Sequence, residues 1–195
     1  ELDSSGVMES MDKFNQEAVQ LLTSTKVSGA FDLAQESPEL RDKYGRHKWG
    51  QRALLARRLV ERGTSFVTMQ MRNPSVPGAA GNWDIHAVNG DLFVDARGRL
   101  PIFDRAVAAL IEDIYDRGLD RKVMVIVTGE FGRTPHINPN KGTSSGIMQP
   151  GRDHYPQAMS VLVSGGGMRT GQVVGSTTAK GEHPLDRPLD PNDLL

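Results

Sequence analysis

Val123-Met124-Val125-Ile126-Val127 is an unbroken apolar run flanked by Lys122 and Thr128, and it restricts the fold more than any other stretch. A run of strand length with no polar alternation is the pattern of a strand covered on both faces. It follows a helical pattern over residues 101–117, where Ile102, Phe103, Ala106, Val107, Leu110, Ile111 and Ile114 recur at helical spacing and Gly118 supplies the stop. Ahead of that helix, residues 64–71 set Phe66 among β-branched neighbours, the composition of another strand. Strand, helix and strand in this order predict a parallel pair joined by a right-handed crossover. The expected class is therefore α/β, a mostly parallel sheet flanked by helices.

Residues 1–63 read as a helical segment that packs on this sheet, and residues 64–195 as the α/β part. Over residues 7–22, Val7, Met8, Met11, Phe14, Ala18, Leu21 and Leu22 fall mostly three or four apart, behind Ser4 and Ser5 as caps. Ser37-Pro38-Glu39 is an N-cap followed by Pro at the first helical position, with Gly45 as the stop. Residues 48–61 carry a stripe of Trp49, Ala53, Leu54, Ala56, Leu59 and Val60, with Arg52, Arg57, Arg58 and Arg62 assigned to wet faces and Gly63 as terminator. Downstream, residues 158–164 read as a second buried strand, Gly165-Gly166-Gly167 as a turn, residues 172–176 as a short strand, and residues 177–195 as an extended surface tail.

Charge and composition then narrow the chemistry. A formal net charge of −1 over 195 residues leaves no basic excess to hold a polyanion, which argues against nucleic acid as a partner. The chain has no cysteine, so disulfides, zinc-thiolate sites and thiol nucleophiles are excluded. Any metal has to use oxygen and imidazole ligands. The apolar runs fall far short of the ~20 residues of a membrane span, and no signal segment is visible in the given chain.

Three short motifs supply such ligands. Asp84 and His86 flank Ile85, and in an extended segment residues i and i+2 point the same way, so carboxylate and imidazole can converge on one cation. The other reading is a turn in which Asp84 caps backbone amides and His86 packs beside Trp83. Glu130 follows directly on the apolar strand, where a carboxylate needs a cation or a donor such as Arg133 to compensate lost hydration. Arg133 alternatively holds an anionic substrate with its planar fork. Asp153-His154 offers adjacent oxygen and nitrogen ligands at the end of the long Gly-, Ser- and Asn-rich loop of residues 136–152, a loop length that is more often functional than idle. All five ligand candidates, Asp84, His86, Glu130, Asp153 and His154, fall near predicted strand ends, where convergence in space is expected. His136 borders this region, whereas His47 and His183 read as surface residues. The Gly165–Gly167 run lacks the Lys-Ser/Thr of a phosphate loop. Among divalent metals, zinc suits these ligands best, with manganese, iron or calcium behind it.

Taken together, Trp83-Asp84-Ile85-His86, Gly129-Glu130-Phe131-Gly132-Arg133-Thr134-Pro135, Gly151-Arg152-Asp153-His154, Ser164-Gly165-Gly166-Gly167 and Pro188-Leu189-Asp190-Pro191 resemble the C-terminal part of the bacterial domain of unknown function 1501, grouped with the alkaline phosphatase and sulfatase superfamily. The resemblance implies an alkaline phosphatase-like sheet with a one- or two-metal centre at its strand ends. It makes Asp84, His86, Glu130, Asp153 and His154 the metal ligands and Arg133 the group that stabilises charge on a transferred phosphate or sulfate. It further implies a small-molecule or carbohydrate ester as substrate and export to the periplasm or cell surface. Enzymes of that superfamily take an early metal-binding Asp and the nucleophile from a first strand, whereas this chain begins in helices. The expectation is thus a partial fold lacking the N-terminal strand region, with the nucleophile upstream. The alternative is a non-catalytic exported binding module that keeps the fold and a structural metal.

Overall fold

The computed structural model describes residues 12, 13, 15, 16, 25–74 and 82–194. Of the helix expected over residues 7–22, Asp12, Lys13, Asn15 and Gln16 are helical, and the rest lies outside the described residues. Helix α1 is a single turn, Thr25–Ser28, followed by a 3-10 turn at Leu33–Gln35. The cap at Ser37 operates as its sequence predicts. Helix α2 spans Pro38–Tyr44, Ser37 Oγ accepts from the Leu40 amide at 3.2 Å, and Gly45 ends the helix at φ 91°. Helix α3, Lys48–Glu61, starts against that end because Gly50 has no side chain: a Cβ there would sit 2.0 Å from the Tyr44 carbonyl oxygen.

Helix α4 begins at Leu92, well ahead of the expected start at Pro101, and runs to Asp116. Asp91 caps it, its Oδ1 accepting from the amides of Phe93 and Val94 at 2.8 and 3.0 Å. Pro101 removes one helical N–H, which by itself disfavours an uninterrupted helix. The strong cap and the bidentate Asp95–Arg99 pair, at 2.7 and 2.8 Å one turn apart, hold the turns before it. No helix among the described residues is long and apolar enough to cross a membrane.

Tyr44, Ala53, Leu54, Ala109, Leu110 and Ile114 form the apolar cluster at which α2, α3 and α4 meet, with Leu40, Val123 and Val125 packed against it. Burial of each large aliphatic side chain here contributes about 2 kcal/mol. Beside the cluster lies a set of charges that the helical stripe alone does not foretell. Arg57 and Arg58, expected on wet faces, are buried. Tyr44 Oη donates to Asp113 Oδ2 at 2.8 Å, and Arg117 Nε donates to Asp113 Oδ1 at 2.7 Å. Arg57 Nη1 donates to Glu61 Oε2 at 2.6 Å, while its Nε and Nη2 lie 2.8 and 3.0 Å from Asp113 and Glu36 in off-axis ion pairs without hydrogen-bond geometry. Arg58 donates to the carbonyls of Ala30 and Gly29 and to Glu36. Buried charges survive only when paired, and each guanidinium here has a carboxylate.

The parallel sheet expected from the sequence is not what forms. The described strands make four antiparallel pairs, each a two-stranded sheet. Strand β1, Met124–Val127, pairs with β6, Leu162–Gly165, in the register Met124↔Gly165 to Val127↔Leu162. Strand β2, Gly132–Arg133, pairs with β5, His154–Tyr155. Strands β3, Asn138–Lys141, and β4, Met148–Gly151, form a hairpin inside the loop expected over residues 136–152. Strands β7, Ser176–Thr177, and β8, Pro184–Asp186, pair within the tail, and a 3-10 turn follows at Pro191–Leu194.

Residues 64–71, the intended parallel partner of β1, carry no strand. At the end of this segment the carbonyls are taken by side chains instead: Gln70 by Arg52 Nη1, Met71 by Trp83 Nε1 and Arg72 by Trp49 Nε1. A backbone group so occupied is withdrawn from a sheet ladder, and Phe66 is left 84% exposed. Strand β1 in turn covers one face only, with Met124 and Ile126 exposed and Val125 on the core, as an antiparallel pair permits. Downstream, one expectation holds in part and one in full. Of the buried strand expected over residues 158–164, residues 162–164 appear in β6, with Leu162 exposed and residues 158–161 without strand, and Gly165, Gly166 and Gly167 turn at φ 80°, 64° and 73°. Residues 172–175 carry no strand.

Burial tends to raise the Asp113 and Glu36 carboxyls, but close contacts and charge from Arg117, Tyr44 and Arg57 at Asp113, and from Arg57 and Arg58 at Glu36, outweigh it and hold both below their ordinary values. A carboxylate depressed in the folded state contributes stability above its unfolded pKa of about 4, and that stability is lost as pH falls through the folded value. Asp113→Asn, which leaves Arg57 and Arg117 short of a counter-charge, should cost about 3 kcal/mol at pH 7. Urea midpoints at pH 7 and pH 3 should show the parent losing more stability between the two than the variant does.

Candidate metal centre

Residues 83–89 form the first wall of the site. Trp83 is the anchor: it stacks on Trp49 at 5.5 Å and 12°, meets Phe103 edge-on at 5.4 Å, and lies under the Arg99 guanidinium at 4.5 Å. These contacts fix Trp83 against helices α3 and α4. Ile85 and Ala87 are buried, which turns Asp84 and His86 to the other side, as the i, i+2 spacing predicts. Asn89 locks the turn, its Oδ1 accepting from the His86 amide at 2.8 Å and its Nδ2 donating to the Asp84 carbonyl at 2.7 Å. Asn82 Oδ1 accepts from the Asp84 amide at 3.0 Å.

The second wall is the pairing of β2 with β5, which sets Arg133 opposite His154. Three side chains then meet at one oxygen of a fourth. Asp84 Oδ1 lies 2.9 Å from His86 Nε2, 2.7 Å from His154 Nε2 and 2.9 Å from Arg133 Nη2. On its far side His86 presents Nδ1 to Asp153 Oδ1 at 2.9 Å, and Asp153 Oδ2 accepts from Asn138 Nδ2 at 2.5 Å. Phe131 packs on the His154 ring at 4.4 Å between centroids. The hydrogen bond from His154, with those from Arg133 and His86, holds the Asp84 carboxyl well below the usual carboxylate range. His86 and Asn138 hold Asp153 below its ordinary value in the same way.

One carboxylate oxygen and two imidazole nitrogens, from Asp84, His86 and His154, lie within 4.8 Å of one another. They are compatible with a divalent cation after a small rearrangement. Bonds of about 2.0–2.1 Å in a tetrahedral site place ligand atoms about 3.3 Å apart, so the contacts of 2.7 and 2.9 Å to Asp84 need to open by about half an ångström. The donor count points the same way. A neutral imidazole has one N–H, yet both nitrogens of His86 face carboxylate oxygens, so one of these contacts calls for a second proton or a cation. With a cation between them and Nδ1–H given to Asp153, Nε2 would turn its lone pair to the cation, the carboxylate–histidine arrangement that orients metal ligands.

Of the five ligand candidates, the structure brings Asp84, His86 and His154 together and sets Asp153 behind His86. Glu130 stays outside the group, in an exposed bend after β1, where water provides its hydration. Arg133, considered as its counter-charge, pairs with Asp84 instead. His136 is exposed and contributes its backbone carbonyl to Thr134 Oγ1, His183 is exposed, and His47 is a half-buried helix cap accepting from the Gly50 amide. Asn89 and Asn138 escape the sequence reading. An Asn three residues after the histidine is a turn signal that offers a route to the first, whereas the second depends on a tertiary contact.

A family model described as Protein of unknown function (DUF1501) matches residues 3–195. No curated protein and no solved structure gives a significant match.

Purified without chelators, the protein should take up a divalent metal near stoichiometrically. Asp84→Ala or His154→Ala should abolish uptake, Asp153→Asn should weaken it by about 10–100-fold, and Glu130→Gln should leave it within about twofold of the parent. Elemental analysis and calorimetric titration provide the check. A network held by hydrogen bonds alone gives no metal in any of them and the same thermal midpoint with or without EDTA.

Proposed function

The chain belongs to the DUF1501 family of proteins of unknown function, and from that premise we propose that it is a metal-dependent hydrolase of phosphate or sulfate esters, with zinc foremost among the candidate cations. The observation that carries this reading is the meeting of Asp84, His86 and His154 at a half-exposed place with Arg133 beside it. Three protein ligands leave a coordination position free, as hydrolytic sites do, whereas structural zinc sites close all four.

A bound divalent cation supplies Lewis-acid polarisation of the ester oxygen and raises the acidity of water. The chain's own residues prepare the place for it. Asp84 brings negative charge, and its donors hold its carboxyl well below the ordinary range. Asp153 and Asn138 fix the His86 ring. Arg133 spends Nη2 on Asp84 and on the Trp83 carbonyl at 3.3 Å and Nη1 on the Arg152 carbonyl at 3.4 Å, both of them long contacts. Its guanidinium thus adjoins the ligands with weakly held N–H groups, suited to paired oxygens of a tetrahedral anion. Thr134 Oγ1 is committed, donating to the His136 carbonyl and accepting from the Asp153 amide. Among these residues it is therefore a structural hydroxyl rather than a nucleophile. A small-molecule or carbohydrate ester as substrate and an exported location complete the proposal.

The test is turnover of p-nitrophenyl phosphate and p-nitrophenyl sulfate by the intact protein reloaded with zinc, manganese or iron. Hydrolysis abolished by EDTA is expected, and Arg133→Ala should lower kcat/KM by about 100-fold with metal content retained. Metal uptake with no cleavage of either ester removes the hydrolase reading and leaves a metal-containing binding module.

A further inference from the structure

We infer that Gln149 is a positioning residue of the metal centre, setting the separation of its two ligand-bearing loops through the hairpin of β3 and β4. The inference rests on the reading of Asp84, His86 and His154 as metal ligands. Gln149 is a buried amide in β4, on a hairpin otherwise rich in exposed residues. Its Nε2 donates to the carbonyl of Ala87, the residue after His86, at 2.7 Å, and its Oε1 accepts from Ser145 Oγ at 3.2 Å. The hairpin turn adds a second fastening to the same loop, the Thr143 amide donating to the Val88 carbonyl at 2.8 Å.

The other end of β4 makes the connection to the second loop. A Cβ on Gly151 would lie 2.0 Å from the Ala87 nitrogen, so only glycine permits this approach of strand to loop. The chain leaving Gly151 enters Arg152, Asp153 and His154 at once, and the partner strand begins with Asn138, whose amide holds Asp153. The hairpin thus grips the backbone just after His86 and carries the residues that orient and accompany it. Without the Gln149 donor, the buried Ala87 carbonyl must turn toward water to be satisfied, and His86 turns with it. A side chain that only filled space would move the stability of the hairpin and leave the ligand geometry of the folded protein as it was.

Co(II) is the probe, because its visible bands report coordination geometry while a titration gives affinity. Gln149→Met keeps the length and removes the donor, Ser145→Ala unfastens the far end of the amide, and Lys141→Ala on the same hairpin is the control. The expected result is a Co(II) affinity weaker by about tenfold and an altered visible spectrum in Gln149→Met, under conditions where circular dichroism shows it folded. Ser145→Ala should weaken binding by about two- to threefold and Lys141→Ala should match the parent. Parental affinity and spectrum in Gln149→Met overturn the positioning role while leaving the metal centre standing. Should Gln149→Met fail to fold, Ser145→Ala decides, and parental binding by it overturns the role. A parent chain that takes no Co(II) overturns the metal centre itself, and the positioning role falls with it.

Discussion

The charge network around Asp113 is the constraint on which the rest depends. Asp113 sits on α4, Tyr44 ends α2 and Arg57 lies on α3, so a single carboxylate ties three helices at the point where their apolar faces meet. Glu36, Arg58 and Arg117 extend the network toward the 3-10 turn and the end of α4. Buried charges cost more than they return unless every partner is in place. The helices therefore have little freedom to slide, and the aromatic platform of Trp49 and Phe103 is fixed with them.

That platform carries the order of the helical layer into the site. Trp83 docks on it and donates to the Met71 carbonyl, so residues 70–72 are held by indole and guanidinium donors. The same contacts that give Asp84 a fixed point of departure withdraw this segment from pairing with β1. Strand β1 is left to β6, and the sheet becomes a set of antiparallel pairs. One of these, β2 with β5, then brings Arg133 and His154 to the oxygen that the Trp83 anchor has placed.

The site that results is tight on one side and open on the other. His86 is held behind by Asp153 and along its backbone by Asn89 and, through Ala87, by Gln149. Asp84 and His154 are roughly half exposed in their side chains, which leaves the face between them accessible from solvent. A rigid rear shell with an open front is the division of labour expected where a ligand set must keep its geometry and still admit a substrate.

The sequence by itself determined the local features: the cap and stop of α2 at Ser37 and Gly45, the course of α3, the glycine turn at Gly165–Gly167, the outward pairing of Asp84 with His86, and the restriction of any metal to oxygen and imidazole ligands. Each is written in spacing or in the chemistry of adjacent residues, so a few residues suffice to fix it. Only the tertiary structure decided that β1 pairs antiparallel with β6, that Arg57 and Arg58 are buried, that α4 runs through Pro101, that Glu130 stays in solvent and that Asn138 and Gln149 serve His86. A strand's apolar run records that it will be covered, not by which neighbour. An arginine or glutamine is polar in any pattern until a carboxylate or carbonyl distant in the chain meets it, because the free energy that permits its burial belongs to the pair and not to the residue.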